Sequence, residues 1–202
     1  MAAGTPRQRM TSAARREQIL DVTHAIVDAD GFHAATPKRI AADAGIHRSL
    51  IYQLFGDIPG LFVALIDRES ARAAAQFADS VGERGSEADP TALLVDVFDG
   101  VLDAVGNHPE TWRLFLFPPE GAPAELHQRL AGSQQVLQDF LTEELLRINP
   151  NVHDPEYTAR ILQATGRELL QLRLLEPEEA TVERLRTFVR RLSTDLIFRP
   201  TS

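Results

Sequence analysis

Cysteine is absent from the 202 residues. That excludes disulfides, cysteine nucleophiles and cysteine-based zinc sites. Lysine is nearly absent: of 21 basic residues only Lys38 is one. No run approaches the roughly 18 consecutive apolar residues of a membrane span, so no membrane partner is expected. The opening MAAGTPRQRM has basic residues with no apolar stretch behind them, and reads as a short flexible arm rather than a secretory signal. Strand signals are scarce. Apolar positions recur at three and four, so the expected fold class is all-α. The expected location is the cytoplasm, which a chain without cysteine suits.

What is present is charge, unevenly spread. The formal net charge is -8, yet residues 1–60 hold seven basic and six acidic side chains, leaving -9 for the remainder. A near-neutral head with a basic fringe on an acidic body permits nucleic-acid contact through the head. An ordinary solvated surface accounts for the same numbers.

Caps and breakers divide the chain into helices. The first is expected from about Ser12 to Asp30, with Ile19, Val22, Ile26 and Ala29 as its stripe and Gly31 beyond its end. Thr36-Pro37 opens a short second helix, since Thr caps and Pro suits a first turn. Gly45 stops it. Ile46 enters a third helix ending near Phe55-Gly56, and Asp57-Ile58 starts a long fourth one running to about residue 81. GERGSEADP, residues 82–90, is the clearest break. Later helices are expected from Pro90 to Asn107, Pro123 to Ile148, Pro155 to Leu175 and Pro177 to Phe198. The aromatic-rich HPETWRLFLFPPEGAP lies among them. A head over 12–58 and a body over 59–199 follow.

Two short helices around Gly45 form a helix-turn-helix candidate. Ile40, Ala41, Ala44, Ile46 and Ile51 supply the packing surface between them. Arg48, Ser49, Tyr52 and Gln53 stand three and four apart and share an outward face, leaving Leu50 or Leu54 partly exposed. Arg can read guanine, Gln can read adenine, and Ser or Tyr can bond phosphate. A solvated face of a small helical domain is the competing reading.

The flanking pattern adds to this. Arg16, Ile19-Leu20, Ile26-Val27, GFHAAT at 31–36, RIAADAGI at 39–46, IYQLF at 51–55 and Leu61 keep their order and spacing over about residues 15–66. In these residues the chain resembles the tetracycline-repressor (TetR) family of bacterial transcription regulators. The resemblance implies that Thr36 caps the second helix and touches phosphate, that Lys38 can reach DNA, and that Arg48, Ser49, Tyr52 and Gln53 are recognition-helix contacts. Three positions depart from the family pattern. His47 stands where a Ser or Thr cap is common, and Leu54 where a His is. Ile58-Pro59-Gly60 replaces a Lys-Glu-small start of the fourth helix, so a phosphate-binding lysine is missing.

In the body, the sole tryptophan and three of the ten phenylalanines fall within 94–117. The resemblance implies that helices five and six wall a small-molecule pocket there, with Phe98, Trp112, Phe115, His108 and Gln163 as candidate lining. Plain core packing is the competing reading of the aromatics. Val182, Leu185, Val189, Leu192 and Leu196 recur as a heptad-type seam. With Leu169 and Leu172 on the preceding helix they form the candidate homodimer interface, two helices from each chain.

His24, His33 and His47 lie on three segments without ligand spacing, so no metal is expected. No catalytic residue and no cofactor is implied, and an enzyme is not expected. The expected function is a ligand-responsive, homodimeric DNA-binding regulator, a repressor released from double-stranded operator DNA by a small-molecule effector. The alternative is a helical binding protein whose head no longer holds DNA.

Overall fold

The computed structural model describes residues 10–82 and 90–198. The N-terminal arm, most of the break at 82–90 and residue 199 at the end of the expected body lie outside the described residues. Among the described residues there are nine α-helices and no strand. They are α1 (Ser12–Asp30), α2 (Pro37–Asp43), α3 (Ser49–Phe55), α4 (Ile58–Gly82), α5 (Pro90–Asn107), α6 (Pro109–Leu116), α7 (Ala124–Ile148), α8 (Pro155–Leu175) and α9 (Val182–Phe198), with one 3-10 turn at Phe32–Ala34. No single one of them is long and apolar enough to cross a membrane; α3 and α4 pass only as a pair, bent by 59°. The chain divides into two compact units, 1–67 with 119–123, and 68–118 with 124–202. The division falls within α4, whereas the expected head ended at its start.

In the first unit, Thr11 caps α1 by accepting from the Ala14 N–H at 3.2 Å. The buried stripe of α1 is Ile19, Leu20, Thr23, His24, Ile26 and Val27. It differs from the expected stripe: Val22 is half-buried and Ala29 exposed. Thr23 can be buried because its hydroxyl donates to the Ile19 carbonyl at 2.7 Å, which leaves no unpaired polar atom. Gly31 follows with φ 80° and ψ 170°, a region essentially closed to other residues. The Phe32 N–H donates to the Glu120 carbonyl at 3.1 Å, which places the 119–123 loop in this unit. Phe32 packs edge-on to Phe62 with centroids 5.0 Å apart.

In the second unit, one buried cluster joins Val101, Leu102 and Val105 of α5 to Leu116, Leu169, Leu170, Leu185 and Val189. Another joins Leu94, Leu141, Leu145, Ala159 and Ile197. α9 is tied to α5 by Arg186, 2.9 Å from Asp99 and 3.7 Å from Asp103. The Asp99 bond raises the Arg186 pKa above its ordinary value against the cost of burial. α9 starts at Val182 and not at Pro177, because Thr181 accepts from the Arg184 N–H at 3.3 Å and caps it there. Glu69 of α4 is fully buried. Its carboxylate accepts from Arg68 Nε at 2.9 Å, Arg72 Nη1 at 3.0 Å and the Thr111 hydroxyl at 2.6 Å.

Candidate nucleic-acid interface

The head exposes a polar face on α2 and α3 while its other side is fastened down. Ile51 has no exposed surface. That anchors α3 by its inner side, so Ser49, Tyr52 and Gln53 are exposed on the outer one. Tyr52 keeps 45% of its surface open. Leu50 and Leu54 are both half-buried. Arg48 is exposed and stands one residue before the helix. α3 therefore starts later than the expected Ile46.

Thr36 caps α2, its hydroxyl oxygen accepting from the Arg39 N–H at 3.3 Å. Thr36 and Lys38 are exposed at that end. Gly45, at φ 61°, turns the chain between α2 and α3, and the Ile46 N–H closes the turn onto the Ala41 carbonyl at 2.9 Å. All six candidate DNA contacts, Thr36, Lys38, Arg48, Ser49, Tyr52 and Gln53, are thus on the surface.

Two arginines of the same unit are already engaged. Arg39 lies 2.7 Å from Asp30 and 3.7 Å from Asp43. Arg16 donates to the Leu54 carbonyl at 3.1 Å and lies over the Phe55 ring. Gln18 donates to the Ala44 carbonyl at 3.1 Å. Arg16 and Gln18 thus tie α1 to the ends of α2 and α3. Sequence reasoning missed their function, because nothing in α1 alone shows which carbonyls lie opposite.

The departure at Ile58-Pro59-Gly60 has a structural account. Asp57 accepts from the Gly60 N–H at 2.7 Å and caps α4. A side chain at position 60 would collide with the Phe55 carbonyl oxygen. The first turn of α4 is therefore packed directly on the end of α3.

Residues 19–65 match the sequence profile of bacterial regulatory proteins of the tetR family. The head is thus similar to the DNA-binding region of that family, over 19–65. A curated relative, the nucleoid occlusion factor SlmA of Pasteurella multocida, is 30% identical over 101 residues, 50% of this chain and 49% of that one. The match thus spans about half the relative's length. Among solved structures, a TetR-like transcriptional regulator from Rhodococcus sp. RHA1 superposes with a TM-score of 0.77 at 24% identity, over 93% of this chain and 97% of that one. The fatty acid degradation regulator FadR of Bacillus halodurans superposes at 0.68 with 15% identity, over 94% and 97%. At these identities the structures establish the shared fold, which runs through the body as well as the head.

The second unit distributes the candidate pocket residues. Phe98 and Trp112 are half-buried against the α5–α9 cluster. The Trp112 indole donates to Gln76 Oε1 at 2.8 Å. Phe115 is half-buried on α6. His108 and Gln163 are not gathered with them. His108 is exposed at the start of α6, and Gln163 donates to the Gln134 carbonyl of α7 at 2.8 Å.

The seam expected to face a partner is turned inward over much of its length. Leu169, Leu185 and Val189 are buried in the chain's own core, with Leu172 and Val182 packed against it. Leu185 and Val189 of α9 share this cluster with residues of α5 and α8. Leu192 and Leu196 are half-buried. On α8 and α9 the large apolar groups left outside are Leu175, Phe188, Ile161 and Tyr157, 65%, 49%, 49% and 67% exposed. Leu172, Leu185 and Phe188 also line a groove beside Arg184, Glu176 and Glu179.

Proposed function

We propose that the chain is a homodimeric repressor of the bacterial cytoplasm, released from operator DNA when a small molecule binds its helical body. One observation carries this reading: Arg48, Ser49, Tyr52 and Gln53 are exposed together over the buried Ile51. Arg48 and Gln53 carry the hydrogen-bonding groups that pair with guanine and adenine edges in the major groove. Thr36, Lys38 and the Tyr52 hydroxyl suit phosphate, which sets register without reading sequence.

A head this small, with few basic residues, binds weakly alone. Two heads reading half-sites about one helical turn (~34 Å) apart bind tightly and specifically. The dimer face is the outer side of α8 and α9, with Leu175 and Phe188 at its centre and Leu172, Leu192 and Leu196 beside them. An effector held near Phe98, Trp112 and Phe115 favours one arrangement of the two heads and so lowers operator affinity.

The test is fluorescence anisotropy of the full chain on the DNA flanking its own coding region, over a salt series. Expected is saturable binding far tighter than to scrambled duplex, weakening as salt rises. Equal, weak binding to both, unchanged by Arg48→Ala, would sink the reading in favour of a binding protein with a silent head.

A further inference from the structure

The turn before α3 holds an arrangement that the DNA reading does not use. The His47 carbonyl accepts from the Leu50 N–H at 3.0 Å, so His47 is the residue where the helical bonding begins. Its ring takes the place of the missing Ser or Thr cap. Nδ1 accepts from the Ser49 backbone N–H at 3.3 Å. The same nitrogen lies 2.7 Å from the Ser49 hydroxyl oxygen. Arg48 supplies no side-chain cap.

A backbone N–H can only donate. The hydrogen bond to Nδ1 forms in the neutral tautomer whose proton sits on Nε2, with the Nδ1 lone pair facing the Ser49 N–H. The proton in the 2.7 Å contact must then come from Ser49. The opposite tautomer would aim an Nδ1–H at the Ser49 N–H and give up that bond to solvent. With its proton turned towards His47, Ser49 has only lone pairs to offer outward. A free serine hydroxyl rotates and serves either role; in this tautomer Ser49 is held by His47 in one.

We propose that His47 fixes the hydrogen-bond polarity of Ser49 and makes it an acceptor-only reader of a base edge. Its target is an exocyclic amino group, adenine N6 or cytosine N4, and not a ring nitrogen, a base carbonyl or a phosphate. In this role His47 acts through Ser49 and is a positioning residue. The proposal rests on α3 reading DNA.

The test uses the full chain and the duplex site that the wild type enriches from a random library. At the position where S49A abolishes discrimination, the amino group is deleted by placing purine for adenine or pyrimidin-2-one for cytosine. Ring acceptors are deleted in parallel with 7-deazapurines. Amino deletion is expected to weaken the wild type about fivefold more than S49A, which controls for the weakened base pair. That gap falls below about twofold in H47A and returns in H47N, whose side-chain oxygen accepts from the same donors. H47G, which a cap position tolerates, gives the same loss if H47A folds poorly. A gap that appears with 7-deazapurine instead, one that persists in both H47A and H47G, or an S49A that changes no position overturns the assignment. A wild type that enriches no sequence overturns the DNA reading itself, and this assignment with it.

Discussion

The guanidinium of Arg16 lies 4.4 Å from the centre of the Phe55 ring, and its Nη1 donates to the carbonyl of the neighbouring Leu54. One arginine on α1 thus holds the last turn of α3 by a cation–π contact and a charge-assisted hydrogen bond. The two together contribute about 1–2 kcal/mol at a partly exposed site. Arg16→Ala is expected to lower the unfolding midpoint by several degrees and to weaken operator binding through a looser α3. Thermal unfolding and anisotropy on one preparation check both. Unchanged stability would show that the clamp contributes nothing.

Arg48 and Arg39 should behave differently although both are cations of the head. Arg48→Ala is expected to weaken specific binding by about tenfold, the scale of a lost base contact. Arg39 is held by Asp30, so Arg39→Ala should change affinity by less than about twofold and leave the salt slope intact. A larger loss from Arg39→Ala would mean that its ion pair opens on DNA.

Gly60→Ala is expected to destabilise the head, because the added methyl meets the Phe55 carbonyl oxygen, a backbone atom that cannot rotate away. Shifting the first turn of α4 off α3 costs about 1–3 kcal/mol. Denaturant unfolding gives the figure. A neutral substitution would show that this junction is free to open.

Glu69→Ala leaves the Thr111 hydroxyl and two guanidinium groups without their buried acceptor. Removing one partner of a buried ionic network costs about 3–5 kcal/mol. Thr111→Val removes one hydrogen bond and should cost about 1 kcal/mol. Urea unfolding of both variants is the check. Equal effects would show that the ionic part of the cluster is not what matters.

Leu185→Ala and Phe188→Glu separate core from interface on α9. Leu185 is 4% exposed and Phe188 49%. The first is expected to cost about 2–4 kcal/mol of stability with dimerisation kept. The second should leave the fold intact and give monomers in sedimentation. A dimer that survives Phe188→Glu would place the interface elsewhere.

The helix ends were largely legible because each depends on a few neighbouring residues. Thr36-Pro37, Asp57 and Pro155 each did locally what their chemistry allows. The surface of α3 was legible for a related reason. Its outer residues are polar at three-and-four spacing, and Ile51 is the apolar residue that anchors it.

The phase of α9 was not legible. Its seam is apolar enough to serve a partner or the chain's own core, and the choice rests on how α9 packs with α5 and α8. The pocket candidates went the same way: Phe98 and Trp112 share one core, while His108 stays in solvent and Gln163 turns to α7. By itself the sequence determined where helices begin and stop and which family the head resembles, since caps, turns and motif spacing act over a few residues. Only the tertiary structure decided which side chains were spent on packing and which stayed free. Arg16, Arg39, Glu69 and His47 found their partners across elements or across a turn, and no pattern along the chain names the atom that a side chain will meet.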